Sequence, residues 1–192
     1  MAMNISVSSY SFNGLFPPGE RNERQVVEKA AEMGFDTIEF SGLHPPAGND
    51  VLSFALDLRT ACDRRGLKIT NYAVAADFLC GSGGDLDAEI ERVKQEVLVA
   101  EALGAPAMRH DASRGFPNGH AGPKSFNVAL NRLAAGCRAV TEFAVGRHIR
   151  TMVENHGFFC QDSDRVEQLI CAVNHPNFGA LVDIGNFACV DE

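Results

Sequence analysis

The sequence has no run rich in Lys and Arg and no apolar run long enough to cross a membrane. Its 192 residues carry 17 Lys and Arg against 25 Asp and Glu, a formal net charge of −8. A field of this sign repels phosphate backbones, so we expect no nucleic-acid partner. The N-terminal MAMNISVSSYSF also lacks a basic segment followed by an apolar one, the pattern of a secretory signal. We therefore expect a cytoplasmic protein that does not contact membranes.

The sequence also lacks a Cys-x-x-Cys pair, the spacing typical of many zinc and redox sites. With 45% hydrophobic residues, the chain is large enough to bury one core without disulfide bonds. We therefore expect reduced and mostly buried thiols. The cysteines concerned are Cys62, Cys80, Cys137, Cys160, Cys171 and Cys189.

A repeated unit fills most of the sequence: an amphipathic stretch, a glycine and then a short run rich in β-forming residues. EKAAEMG-FDTIEF and RTACDRRG-LKITNY are two examples. The amphipathic stretches place apolar residues at helical spacing, as at Val93, Val97, Ala100 and Leu103. The glycines stand where helices should end, because the residue after the last turn often needs a positive φ. These glycines are Gly34, Gly66, Gly104 and Gly146.

The β-rich runs predict six strands separated by helices. The strands are expected near residues 3–9, 35–40, 67–74, 105–110, 149–154 and 179–183. Strict alternation implies parallel strands joined by right-handed crossovers, which leaves an open doubly wound sheet or a (β/α)8 barrel. The first loop, SFNGLFPPGER, contains neither G-x-G-x-x-G nor G-K-[ST], the nucleotide signatures of open sheets. We therefore predict an α/β fold of the (β/α)8 TIM-barrel type with about six βα units.

Polar residues gather at the predicted carboxyl ends of these strands, which is the functional face in either architecture. The set comprises Ser8, Ser9, Tyr10, Glu39, Ser41, Asn71, Arg109, His110, Asp111, Glu154, Asn155, His156, Asp183 and Asn186. Each of these side chains, taken alone, has helix capping or a surface ion pair as an alternative explanation. The convergence of acids, an arginine and histidines on one end favours a functional site.

Glu154 and Asp183 form the pair that the pattern singles out. They lie at the ends of consecutive predicted strands, which parallel pairing holds about 5 Å apart. Two acids this close repel each other, whereas a divalent cation would be bound by both carboxylates. Mg²⁺ or Mn²⁺ is the expected ion, with Co²⁺ or Zn²⁺ as alternatives if an imidazole joins.

Two motifs then carry a family resemblance. E-N-H-G at 154–157 and D-I-G-N-F at 183–187, the second preceded by H-P-N-F-G, resemble the xylose isomerase-like TIM-barrel superfamily of sugar phosphate isomerases and epimerases. The resemblance covers the chain as an N-terminal portion of six strands. It implies that Glu154 is both a metal ligand and the catalytic acid/base, and that Asp183 is a second ligand. The remaining ligands of that family, a histidine and a glutamate on strands seven and eight, have no counterpart in this sequence.

The resemblance implies a divalent-metal-dependent isomerase or epimerase that moves a proton next to a carbonyl of a sugar, sugar phosphate or related ketose. Asn186 stands where many members carry a substrate-contacting histidine, and Arg109 has an ion pair with Glu39 as its alternative role. The residues expected to contact the small-molecule substrate are His156, Arg109, His110 and Asn186.

The sequence ends after the sixth strand, so we expect one domain, residues 1–192, truncated before strands seven and eight and inactive alone. A partner chain that completes the barrel, or a shortened natural form, is the alternative, and homo-oligomer formation stays open. Two other functions remain. One is a non-catalytic sugar-binding or regulatory domain, and the other is a metal-dependent endonuclease-like phosphodiesterase, which the net charge of −8 disfavours.

Overall fold

The computed structural model describes residues 5–17 and 22–190. Six strands alternate with helices along the chain. The strands are β1 Ser6–Ser8, β2 Thr37–Ser41, β3 Lys68–Val74, β4 Ala107–His110, β5 Arg150–Glu154 and β6 Phe178–Leu181. The α-helices are α1 Glu23–Glu32, α2 Val51–Arg65, α3 Leu86–Leu103, α4 Phe126–Val145, α5 Ser163–Val173 and α6 Ile184–Phe187. Three 3₁₀ helices lie at Ser9–Leu15, Gly81–Gly84 and Ala188–Val190.

The strands form one sheet in the order β1-β2-β3-β4-β5-β6. Each strand therefore lies beside its predecessor, and the β1·β2, β2·β3 and β5·β6 pairs are parallel. An open doubly wound sheet reverses its strand order at a switch point, whereas a barrel adds each strand on the same side. The predicted (β/α)8 type is confirmed as an incomplete barrel of six strands, and the open-sheet alternative is wrong.

The strand boundaries differ from the prediction at both ends of the sheet. Strand β1 covers only Ser6–Ser8, because Ser9 begins a 3₁₀ helix, and residues 3 and 4 lie outside the described part. Strand β6 ends at Leu181 rather than at residue 183. Asp183 is instead the N-cap of α6, a position where a carboxylate accepts from free backbone amides.

Helical periodicity predicted the buried face of α3 correctly. Val93, Val97, Ala100 and Leu103 are all at most 1% exposed. Most helix ends also follow the predicted chemistry, with positive φ at Gly34, Gly66 and Gly104. Gly146 differs, because it caps α4 with a right-handed φ of −63°.

Two compact units make up the chain, each with its own core. The first comprises the described residues of Met1–Ala73 together with Leu98–Met108, and α1 packs on α2 in it through buried Val26, Phe54 and Leu58. The second comprises Val74–Val97 and the described residues from Arg109 onward, and α4 packs there on α5 and β5. Strands β5 and β6 and the loops that follow them belong to the second unit.

The six cysteines are free thiols, as predicted. Cys62, Cys137 and Cys160 are buried, and burial raises the pKa of Cys62 and of Cys160 to about 12. The expectation of mostly buried thiols is wrong for Cys171 and Cys189, which are exposed. Within residues 5–17 and 22–190, no helix combines the length and the apolar character that a membrane span requires.

Candidate active site

The candidate site lies in the second unit, where β4, β5 and β6 end. Arg109 is the penultimate residue of β4, and Glu154 is the last residue of β5. Glu154 pairs with Leu181 in the parallel register, so Asp183 lies two residues beyond its partner position. Because parallel strands end at the same edge of a sheet, these side chains are brought to one place, as the sequence predicted.

Glu154 is the buried acid of this group, with its side chain 10% exposed. Its Oε2 lies 2.6 Å from Nε of Arg109, an ion pair without hydrogen-bond alignment, and its Oε1 accepts a 3.3 Å hydrogen bond from Nδ2 of Asn186. Burial raises the pKa of Glu154, an effect that the Arg109 charge opposes and the nearby Asp111 and Asp183 reinforce. A carboxyl group with a raised pKa is suited to exchanging protons near neutral pH.

Arg109 links Glu154 to a second acid, Asp111. Its Nη1 donates to Oδ1 of Asp111 at 3.3 Å and to the carbonyl of Val74 at 3.2 Å. The side chain of Arg109 is only 17% exposed and that of Asp111 only 8%. One guanidinium thus lies between two largely buried carboxylates.

His156 contacts this network through Asp111. Its Nδ1 lies 3.2 Å from Oδ1 of Asp111, and the carboxylate must accept, so Nδ1 carries the proton in this contact. The His156 side chain is 41% exposed. The Asp111 contact therefore orients a ring that is still partly accessible to solvent.

Asp183 and Asn186 are placed by the short helix α6. Asp183 Oδ1 accepts from the backbone amides of Gly185 at 2.8 Å and Asn186 at 3.3 Å. This capping directs the chain so that the Asn186 side chain reaches Glu154. Both predicted residues therefore join the site, although Asp183 does so from a helix cap and not from a strand.

Two buried amide side chains support the same loops. Asn155 is 1% exposed and hydrogen-bonds both the N–H and the carbonyl of Asp183. Gln161 is 3% exposed, accepts from the Phe158 amide at 2.6 Å and donates to the Asn186 carbonyl at 2.7 Å. The backbone around Asp183 and Asn186 is thus held by side chains on both sides.

His110 does not join this group, although the sequence suggested a substrate contact for it. The residue is fully buried, with Phe78 edge-on at 5.7 Å and Phe178 at 6.0 Å between ring centroids. Its Nδ1 donates to the Asp111 carbonyl at 2.9 Å, and burial lowers its pKa. In this arrangement His110 is a neutral core residue with no surface for a substrate.

The charges of the site leave an excess of negative charge. Glu154, Asp111 and Asp183 are three carboxylates, and Arg109 is the cation that contacts two of them. The donor set is incomplete for a metal ion, because the described part of the chain holds no group of three or more His, Cys, Asp or Glu side chains suited to bind one. The metal-ligand roles of Glu154 and Asp183 therefore stay a prediction.

The first unit holds a polar pair in the middle of β2 and β3, where Glu39 and Asn71 are paired in the register. Nδ2 of Asn71 donates to Oε2 of Glu39 at 2.7 Å. Ser9 Oγ also accepts from the Ser41 amide at 2.8 Å. Several strand-end residues from the sequence prediction therefore make local hydrogen bonds within their own unit.

Comparison with known proteins places the chain in a family. Residues 27–192 match the family model described as xylose isomerase-like TIM barrel. No curated protein matches the chain. The chain therefore belongs to the xylose isomerase-like TIM barrel family, as the sequence motifs indicated.

Solved structures show the same fold at low sequence identity. D-psicose 3-epimerase with D-fructose matches with a TM-score of 0.76 and 14% identity over 99% of this chain and 66% of its own. An L-ribulose 3-epimerase matches with a TM-score of 0.75 and 19% identity over 97% and 63%, and the AP endonuclease, family 2, of Brucella melitensis with 0.72 and 18% over 99% and 72%. About a third of each epimerase thus has no counterpart here. Two sugar epimerases and an AP endonuclease thus share the fold of this chain.

Sequence reasoning assigned no role to two residues of this site. Asp111 stood among the strand-end residues, but its contact with both Arg109 and His156 depends on the geometry of the loop. Gln161 lies beyond the motif and has no periodic signal.

Proposed function

We propose that this chain carries part of the active site of a divalent-metal-dependent isomerase or epimerase that acts on a sugar, sugar phosphate or related ketose. The observation that carries the proposal is the buried Glu154. Burial raises its pKa, the nearby Asp111 and Asp183 charges reinforce that rise, and Glu154 shares the guanidinium of Arg109 with Asp111. Family membership supports it, because sugar epimerases share the fold.

Glu154 and Asp183 would hold the ion, with Mn²⁺ or Mg²⁺ preferred and Co²⁺ or Zn²⁺ as alternatives. The bound ion would supply the positive charge that stabilises an oxygen anion developing next to the reacting carbon. Three carboxylates against one guanidinium support this assignment, because a divalent cation would neutralise the remaining charge.

Glu154 moves the proton in this proposal. Removing a weakly acidic proton next to a carbonyl requires a base whose pKa lies near the working pH, and burial raises that of Glu154 in this direction. Arg109 holds the carboxylate in place through the 2.6 Å contact, and its charge opposes the rise in the pKa of Glu154. His156 and Asn186 present polar groups beside the carboxylate and are proposed substrate contacts.

Deuterium exchange tests this role directly. The naturally expressed protein would be incubated with Mn²⁺ and a panel of ketopentoses, ketohexoses and their phosphates in D₂O. We expect deuterium to enter the carbon next to the carbonyl of at least one sugar, and Glu154→Gln to slow entry by about 10²–10⁴-fold, the usual contribution of a general base. The matched control is Glu142→Gln, since that carboxylate is 57% exposed and lies 3.7 Å from Arg138. Equal exchange by wild type and Glu154→Gln would reject the assignment.

A non-catalytic sugar-binding domain is the second candidate. It is favoured because, within residues 5–17 and 22–190, no three His, Cys, Asp or Glu side chains are grouped so that they could hold a metal ion. Saturable binding of a sugar without any deuterium exchange would select it. The endonuclease-like function is disfavoured by the net charge of −8, and tight binding of abasic duplex DNA at 150 mM salt, about physiological ionic strength, would revive it.

A further inference from the structure

The β5·β6 ladder continues beyond the last paired residues through a side chain. The backbone register ends with Glu154 opposite Leu181. One residue after Glu154, Oδ1 of Asn155 accepts from the Asp183 N–H at 2.7 Å, and Nδ2 of Asn155 donates to the Asp183 carbonyl at 2.8 Å. The amide therefore reproduces both hydrogen bonds of a ladder rung where β6 has already ended.

Only a primary amide of this length satisfies both groups. Aspartate offers no donor to the Asp183 carbonyl, and leucine has the same shape but neither donor nor acceptor. Because Asn155 is 1% exposed, water has little access to replace a lost hydrogen bond. A buried donor or acceptor without a partner costs about 1–3 kcal/mol, so the interaction is a strong constraint on Asp183.

The constraint extends from the backbone to the acidic side chains. With its backbone fixed, Asp183 caps α6 through Oδ1. Among the described residues both capping hydrogen bonds use Oδ1, so Oδ2 is available to another partner. The same helix turn carries Asn186, whose Nδ2 reaches Oε1 of Glu154. Asn155 thus sets the position of Asp183 relative to Glu154, which immediately precedes Asn155 in the chain.

We propose that Asn155 is a positioning residue that holds the Asp183 carboxylate beside Glu154 in the geometry needed to bind a divalent cation. This inference rests on the proposed function, since it concerns the same cation. It assigns Asn155 no contact with substrate or metal. It predicts that the Asn155 amide determines cation affinity through Asp183.

Asn177 offers a matched control at the opposite end of the same strand pair. Its Nδ2 donates to the Ile149 carbonyl at 2.7 Å, next to the start of β5. A side-chain hydrogen bond of equal length therefore ties the start of β5 to the segment before β6, at the end of the strand pair away from Glu154. Substitution there removes one side-chain hydrogen bond between the same two segments without touching Asp183.

The test compares Asn155→Leu and Asn155→Ser with Asn177→Leu and Asn177→Ser. Mn²⁺ titration by calorimetry should show about 10–100-fold weaker binding for the Asn155 variants, the usual effect of removing a group that orients a metal ligand. The Asn177 variants should bind within about twofold of wild type, since their site is intact. Amide hydrogen exchange gives a metal-independent readout: the Asp183 N–H should exchange faster in the Asn155 variants alone. The serine variants keep the test valid if either leucine variant fails to fold.

The outcomes separate this inference from the proposed function. If Asp183→Asn abolishes Mn²⁺ binding while both Asn155 variants bind like wild type, the positioning role is overturned and the metal site stands. Equal losses in the Asn155 and Asn177 variants would also overturn it, because general destabilisation would then explain the loss. All of these variants are made in the naturally expressed protein. If its wild-type form does not bind Mn²⁺, the proposed metal-dependent function fails and this inference fails with it.

Discussion

Replacing Arg109 with methionine would remove the cation between two largely buried acids while keeping most of the side-chain volume. The ion pair with Glu154 measures 2.6 Å, and the two side chains are 17% and 10% exposed. Asp111 would lose its 3.3 Å contact at the same time. Removing one partner of a buried ion pair typically costs about 3–5 kcal/mol, because the other charge is left without compensation. We expect a loss of this size in the free energy of unfolding at pH 7.

The loss should depend on pH in a defined direction. Arg109 opposes the rise in the pKa of Glu154, so its removal raises that pKa further. Above the usual pKa of 4.5 the unfolded state then binds fewer protons than the folded state, and stability falls as the pH rises. The destabilisation by Arg109→Met should therefore be smaller at pH 5 than at pH 7. Adding Glu154→Gln should recover part of it.

Arg24→Met provides the control for this prediction. Arg24 and Asp57 also approach to 2.6 Å, but their side chains are 54% and 57% exposed. An exposed pair contributes about 0–1 kcal/mol, so the control should lose little stability. Urea unfolding of both variants, and of Arg109→Met with Glu154→Gln, measures each quantity. Equal small losses for Arg109→Met and Arg24→Met, or a loss at Arg109 that does not vary with pH, would refute the reasoning.

Two further predictions concern stability. Because burial raises the pKa of Glu154, its contribution to the free energy of unfolding should decline as the pH rises from about 4.5. The stability difference between wild type and Glu154→Gln should therefore change over that range; urea midpoints between pH 4 and 7 test this, and a constant difference between the two proteins would contradict it. Gly136→Ala would place a Cβ 2.4 Å from Phe78 ring atoms and should cost about 1–3 kcal/mol by overpacking. Gly146→Ala has open space and a right-handed φ of −63°, so thermal unfolding should show a gain of about 0.4–1 kcal/mol instead. The reverse order of the two alanine variants would show that local packing is misjudged.

The sequence predicted the fold where local rules act alone. Helical periodicity identified the buried face of α3, and alternation of strands and helices implied a parallel sheet. Glycine chemistry identified helix ends at Gly34, Gly66 and Gly104 but not the conformation of Gly146. After this helix the residue with positive φ is His148, at 57°, and not Gly146.

The acids of the candidate site could be predicted, because a residue's position along its strand determines the edge of the sheet at which its side chain lies. Glu154 needed only its place at the end of β5, and Asp183 its place after β6. Their partners could not be predicted, because the acids that Arg109 contacts depend on distances across strands and loops. The sequence allowed Glu39 as its partner, whereas the structure gives contacts with Glu154 and Asp111.

His110 shows the limit of strand-end reasoning most clearly. Neighbouring residues on a strand point to opposite faces, so Arg109 and His110 cannot both face one site. Arg109 contacts Glu154, while His110 is buried beside Phe78 and Phe178. The sequence by itself determined the order of elements, the barrel type and the two acids, because these follow from local periodicity and chain position. Only the tertiary structure decided which face each residue takes, which charges meet and how Asn155 holds Asp183, because those depend on contacts between residues distant in the chain.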